Sequence, residues 1–165
     1  MKKLLLILFC LPIVVLAQQT YVPDNNFEQA LINLGYDFVL DDNVETTAID
    51  TVSYLYISGL GISDLTGIED FTVLAELFCF NNQLSFLNLS NNTQLFEVSC
   101  GSNQLTYMDV RNGNNSGLWY FNSMNNPFKT ASILRQYCTK NRKNHPNKKS
   151  LHPSFGNSPF PTNLK

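Results

Sequence analysis

Residues 74–94, LAELFCFNNQLSFLNLSNNTQ, and residues 95–115, LFEVSCGSNQLTYMDVRNGNN, superpose position for position at a shift of 21 residues. Leu74, Leu77, Cys79, Asn82, Leu84, Leu87 and Leu89 recur as Leu95, Val98, Cys100, Asn103, Leu105, Met108 and Val110. Self-similarity at a period of roughly 20–29 residues is the mark of a solenoid, whose unit is too small to bury its own apolar edge and must stack on its neighbours.

The pattern extends both ways. Upstream, Val52, Leu55, Ile57 and Leu60, then Ile62, Leu65, Ile68 and Phe71, form a 22-residue unit with Leu60 where later units place Asn. Downstream, Leu118, Phe121, Ser123, Asn126 and Phe128 form a last partial unit at a shift of 23, its two extra residues falling in the Asn- and Gly-rich stretch 112–117, which suits a widened turn. A half-period is nested inside: residues 74–82 and 84–92 read as one nine-residue phrase, so both halves of a coil are expected to be extended. Apolar residues two apart put Leu77 with Cys79, and Val98 with Cys100, on the inner face of a strand. Phe78, Phe80, Ser99 and Gly101 then face outward. The Asn three residues after each Cys ends the strand inside the coil, where buried backbone groups need partners. Asn82, Asn103 and Asn126 are expected to stack as a ladder, and Cys79 and Cys100 to be buried free thiols.

Outside the repeats the chain changes character. Lys2 and Lys3, an apolar run from Leu4 to Leu16, and small Ala17 predict a signal segment over residues 1–17, too short to span a bilayer. Cys10, preceded by bulky Phe9, is not read as a lipid site. Residues 18–50 are expected to form an N-terminal cap: Asp24 caps a helix with Phe27, Ala30, Leu31 and Leu34 on one face and Gly35 at its stop, and Asp41, Asp42, Asn43 and Glu45 follow as an acidic loop. Residues 51–128 are the repeats, and 129–165 a basic, mostly irregular tail. The formal net charge of −2 hides a segregation: thirteen acids and Arg111 alone lie between Gln18 and Pro127, a formal −12, whereas the tail holds eight Lys and Arg, both His and no acid. Three cysteines follow the signal segment, an odd number.

At these repeats the chain resembles exported bacterial leucine-rich repeat proteins of the internalin-like kind, and YVPDNNFEQALINLGYD resembles the cap of such proteins in flavobacteria-like organisms. The resemblance covers roughly residues 20–127. It implies a short right-handed leucine-rich repeat solenoid with a parallel sheet, a helical cap, and binding of a protein or glycan through the repeat face, with no shared chemistry. Ser123 departs from it by standing where Cys is expected, and no Gly-rich C-terminal sandwich follows the repeats.

Outward positions of successive strands hold Tyr54 and Tyr56, then Glu76, Phe78 and Phe80, then Glu97 and Ser99, then Tyr120 and Asn122. Soluble proteins seldom expose such an aromatic patch without a partner, so these nine residues are the expected contact set. Competing readings are cover by the tail or a second copy, and a structural or vestigial repeat fragment with no ligand. Glu76 and Glu97, one strand apart, invite comparison with glycosidase carboxylates about 5 Å apart, but an open sheet supplies no cleft, and no catalytic residue, cofactor or metal is assigned. His145 and His152 lie in the tail with no C-x-x-C for zinc, and the stretch from Asp41 to Glu45 lacks the Gly and distal Glu of a calcium loop. Asn88, Asn91 and Asn114 fit the N-glycosylation pattern, which bacteria rarely use. The Lys-rich stretch 140–149 has the acidic body as its nearest counterion, which disfavours nucleic acid. The sequence therefore predicts an exported recognition module, secreted, periplasmic or surface-associated, with no membrane span after signal removal.

Overall fold

The computed structural model describes residues 17–113 and 118–128; the signal segment expected over residues 1–17, except Ala17, and the expected tail from Lys129 lie outside them. The chain opens with β1 (Gln19–Tyr21), α1 (Asn25–Asn33), β2 (Asn43–Glu45) and the single turn α2 (Thr46–Ile49). Six three-residue strands follow: β3 (Tyr54–Tyr56), β4 (Glu76–Phe78), β5 (Phe86–Asn88), β6 (Glu97–Ser99), β7 (Tyr107–Asp109) and β8 (Tyr120–Asn122). The parallel sheet β3-β4-β6-β8 forms one wall, and β5-β7, also parallel, forms another. The fold is a leucine-rich repeat solenoid, and the two central coils cross from the large sheet to the small one, through β4 to β5 and β6 to β7.

The register explains its stability. Leu55, Leu77, Val98 and Phe121 are the central residues of the four paired strands, and all are buried. Ile57, Cys79, Cys100 and Ser123 form the next buried column, and Leu87 pairs with Met108 across the second sheet. Burying one such aliphatic side chain is worth roughly 1.5–3 kcal/mol, and each column takes its residues from successive coils, so no coil is stable alone. Where the chain leaves the large sheet it needs a left-handed corner: Gly59, Asn81, Ser102 and Asn125, spaced by the repeat, all have positive φ, from +53° to +73°.

Polar side chains stitch the coils. The Asn82 amide donates to Ile57 O and Cys79 O at 2.8 and 3.1 Å, while its oxygen accepts from Leu60 N and Ile62 N. Asn103 repeats this toward Cys79 O, Cys100 O and Leu84 N, and Asn126 toward Cys100 O, Ser123 O and Leu105 N. At the opposite corner Asn92 donates to Ile68 O and Phe71 O, and Asn112 to Asn92 O.

The cap departs from the sequence reading in two ways. Asn43–Glu45, expected within an acidic loop, is β2, paired antiparallel with β1. The buried Glu28 holds that turn by accepting from Asp41 N at 2.8 Å and Asn43 N at 3.2 Å. Leu34, expected on the buried helix face, is 46% exposed because α1 ends at Asn33 and Leu34 is its C-cap. Cap and first coil are joined by Phe27 stacking on Phe71, with ring centroids 6.3 Å apart, and by Asp24. One oxygen of Asp24 caps α1 through Asn26 N and Phe27 N, and the other accepts from Ser63 N, Ser63 Oγ and Asp64 N.

Candidate functional site

Parallel, in-register pairing turns matching repeat offsets into rows across the large sheet. The first outward row is Tyr54, Glu76, Glu97, Tyr120; the second is Tyr56, Phe78, Ser99, Asn122. Alternation along each strand sends these side chains away from the leucine columns. Tyr54 and Tyr56 are 52% and 49% exposed, Tyr120 is exposed, and Phe78, Phe80, Glu76, Glu97 and Asn122 are half-buried. Phe78 sits between two tyrosines, 5.6 Å from Tyr54 and 6.0 Å from Tyr56 between centroids, and Phe80 meets Tyr56 edge-on at 6.0 Å. Four rings thus form one cluster over β3 and β4. Ser99 differs: at 7% exposure it lies beneath the surface, its short side chain flanked in register by the larger Phe78 and Asn122.

Beside the rings the face is acidic. Glu76 and Glu97 are register partners on strands about 4.8 Å apart. Burial, and behind it the neighbouring Glu76 charge, raises the Glu97 carboxyl above the ordinary glutamate range. Arg111, the basic residue among those described, chelates Asp109 on the other sheet and holds that carboxyl below its usual range. An open acid and aromatic surface of this kind can stack on rings or sugars, accept hydrogen bonds and attract cations.

Cys79 and Cys100 are free, buried thiols in adjacent coils. Desolvation pushes the Cys79 pKa up to about 12 and raises that of Cys100 well above the ordinary thiol value. Among the described residues no cluster of three or more His, Cys, Asp or Glu is arranged to hold a metal, and no helix is long and apolar enough to cross a membrane.

One aromatic feature escaped the sequence reading. Phe86 and Tyr107, register partners on β5 and β7, stack almost parallel at 5.0 Å on the second sheet, and both are exposed. Their signal was the same 21-residue offset, read only for the first half of each coil.

No family profile matches the chain. Over 73 residues it is 34% identical to internalin J of Listeria monocytogenes serotype 4b (strain F2365), a match covering 44% of this chain and 8% of that protein. The solved functional domain of internalin J from Listeria monocytogenes, described as including a cysteine ladder, superposes with a TM-score of 0.59 at 30% identity, over 69% of this chain and 26% of that one. An internalin (inlF) from L. monocytogenes str. 4b F2365 superposes with a TM-score of 0.58 over 69% of this chain and 34% of its own; its 22% identity speaks to the fold alone. The chain thus spans about a third or less of the length of each of these matched chains. Coils in register, columns of leucine and asparagine, and likeness to internalin J in both sequence and structure make this chain an internalin-like leucine-rich repeat protein.

Proposed function

We propose that the chain is a non-catalytic recognition module that binds a protein or glycan partner outside the cytoplasm through the exposed face of the β3-β4-β6-β8 sheet. The observation that carries this reading is the cluster of Tyr54, Tyr56, Phe78 and Phe80, four rings linked by three contacts of 5.6–6.0 Å between centroids on the outer side of a repeat sheet. Aromatic side chains in contact with solvent lose stabilisation unless something covers them, and they are the residue types that dominate binding hot spots. The internalin-like fold supports protein recognition; the flat ring edges beside two carboxylates suit a glycan as well. Contacts are assigned to Tyr54, Tyr56, Glu76, Phe78, Phe80, Glu97, Tyr120 and Asn122, with Ser99 as the floor between them.

The test is a double substitution, Phe78→Ser with Phe80→Ser. Both side chains point away from the leucine columns, so the far-ultraviolet spectrum should be unchanged and the melting point should fall by only a few degrees. Binding partners recovered with the natural chain from extracellular extracts, or glycans retained on an array, should be lost. Retention of the same partners by the double variant would refute the assignment.

A further inference from the structure

The fold converts the charge segregation of this chain into geometry. All thirteen acidic residues precede residue 110, whereas residues 129–165 carry eight Lys and Arg and no Asp or Glu. On the large sheet Glu76 and Glu97 stand side by side in a row bounded by Tyr54 and Tyr120. Arg111 is committed to Asp109 on the other sheet, so among the described residues no cation answers this pair. Like charges on adjacent strands destabilise each other, and a cation seated between them removes that cost. Tyrosine rings at both ends of the row offer a further attraction to an ammonium or guanidinium group.

We infer that the basic segment 129–165 of this same chain docks on the acid and aromatic face, seating a Lys or Arg side chain over the Glu76 and Glu97 pair between Tyr54 and Tyr120. The segment is the complement in charge, +8 against −12, and it is attached where it can reach. It follows Phe128, six residues past β8, and β8 lies two strands, about 10 Å, from β4. Twelve extended residues reach roughly 40 Å, so every basic residue from Lys140 onward has the length to arrive at the pair. A tethered segment is held near its site at an effective concentration on the order of 1 mM, ahead of a dilute external polycation. The docked segment lies over the surface proposed above for partner binding, and a partner has to displace it. The inference itself does not depend on there being a partner.

Carbodiimide coupling of the full chain tests it, because the reagent joins a carboxylate to a lysine only where the two touch. Peptide mapping of the monomer fraction should show Glu76 or Glu97 joined to lysines of 129–165, several-fold above couplings from the exposed Asp41 and Asp42. The yield should fall several-fold as NaCl rises from about 0.1 M to about 1 M, which shortens the screening length from about 10 Å to about 3 Å. Coupling in a mixture of light and isotope-labelled chains should give same-isotope pairs. Mixed pairs would assign the contact to a second copy, and couplings spread evenly over the acids would mean undirected attraction; either overturns the inference. Because arginine does not couple, tryptic cleavage within 129–165 is the second readout. It should be several-fold faster in full-length E76Q/E97Q than in the natural chain at equal melting temperature, and equal rates would overturn the inference. Loss of partner capture in the Phe78 and Phe80 variant bears only on partner recognition, so the two readings fail separately.

Discussion

Replacing Asn103 with Ala asks how much of the solenoid is held by shared amides rather than by leucines. The Asn103 side chain is buried; it donates to Cys79 O at 2.9 Å and Cys100 O at 3.0 Å, and its oxygen accepts from Leu84 N at 3.0 Å. The two carbonyls keep second donors in the variant, Asn82 at 3.1 Å and Asn126 at 3.0 Å. Leu84 N loses its acceptor. An orphaned buried donor costs about 1–3 kcal/mol, and each lost bond whose carbonyl remains partnered about 0.5 kcal/mol or somewhat more, so the variant should lose about 2–4 kcal/mol. That is a large share of the roughly 5–15 kcal/mol of a typical domain. Urea unfolding reads it as a midpoint lowered by about 1–2 M at unchanged slope. Asn103→Asp sharpens the test, since a carboxylate keeps the acceptor for Leu84 N but turns negative oxygen toward two carbonyls. At neutral pH it should cost at least as much as Ala. Its carboxyl pKa is raised by folding, so stability should recover as pH falls toward the unfolded value of about 3.9. A change within about 0.5 kcal/mol for both variants would show that the ladder contributes little and refute this account.

Asp24→Ala removes a helix cap worth about 1 kcal/mol and the bonds to Ser63 and Asp64 that fasten cap to coil; a loss of about 2–4 kcal/mol is expected by thermal unfolding. Burial works against the Asp24 carboxylate, yet bonds from Ser63, Phe27 and Asp64 outweigh it and hold its pKa below the ordinary value, so its contribution is present above about pH 4 and fades as pH falls further. Gly67→Ala should destabilise by about 1–3 kcal/mol in the same assay: φ is +100°, and an added Cβ would lie 2.9 Å from Tyr21 O of β1. Cys79 and Cys100 should resist thiol reagents in the native protein at pH 8 and react fully in denaturant. With folded pKa values raised, they favour the unfolded chain as pH climbs from about 9 toward 12, so stability should decline over that range.

Columns were legible because the repeat is arithmetic. Leu77 and Val98, Cys79 and Cys100, and Asn82, Asn103 and Asn126 share offsets, and a coil that comes back to the same position around the axis, one strand spacing further on, stacks equal offsets. The left-handed corners were not legible as a column, because Gly59, Asn81, Ser102 and Asn125 share a conformation without sharing a residue type. The pairing of β1 with β2 was missed for another reason. Three-residue strands carry too little alternation to read, and what joins these two is a backbone ladder and a buried Glu28 contacted from thirteen and fifteen residues away.

The candidate face divides the same way. That Tyr54, Tyr56, Phe78 and Phe80 point outward follows from alternation around buried neighbours, and period alone settles the solenoid and its inner spine. Which outward residues are reachable depends on heights set by adjacent strands: Ser99 sinks between Phe78 and Asn122, while Phe86 and Tyr107 rise and stack on a second sheet. A linear pattern records which side of the backbone a residue takes. Exposure is a sum over neighbours on other coils, and only the folded packing brings those neighbours together.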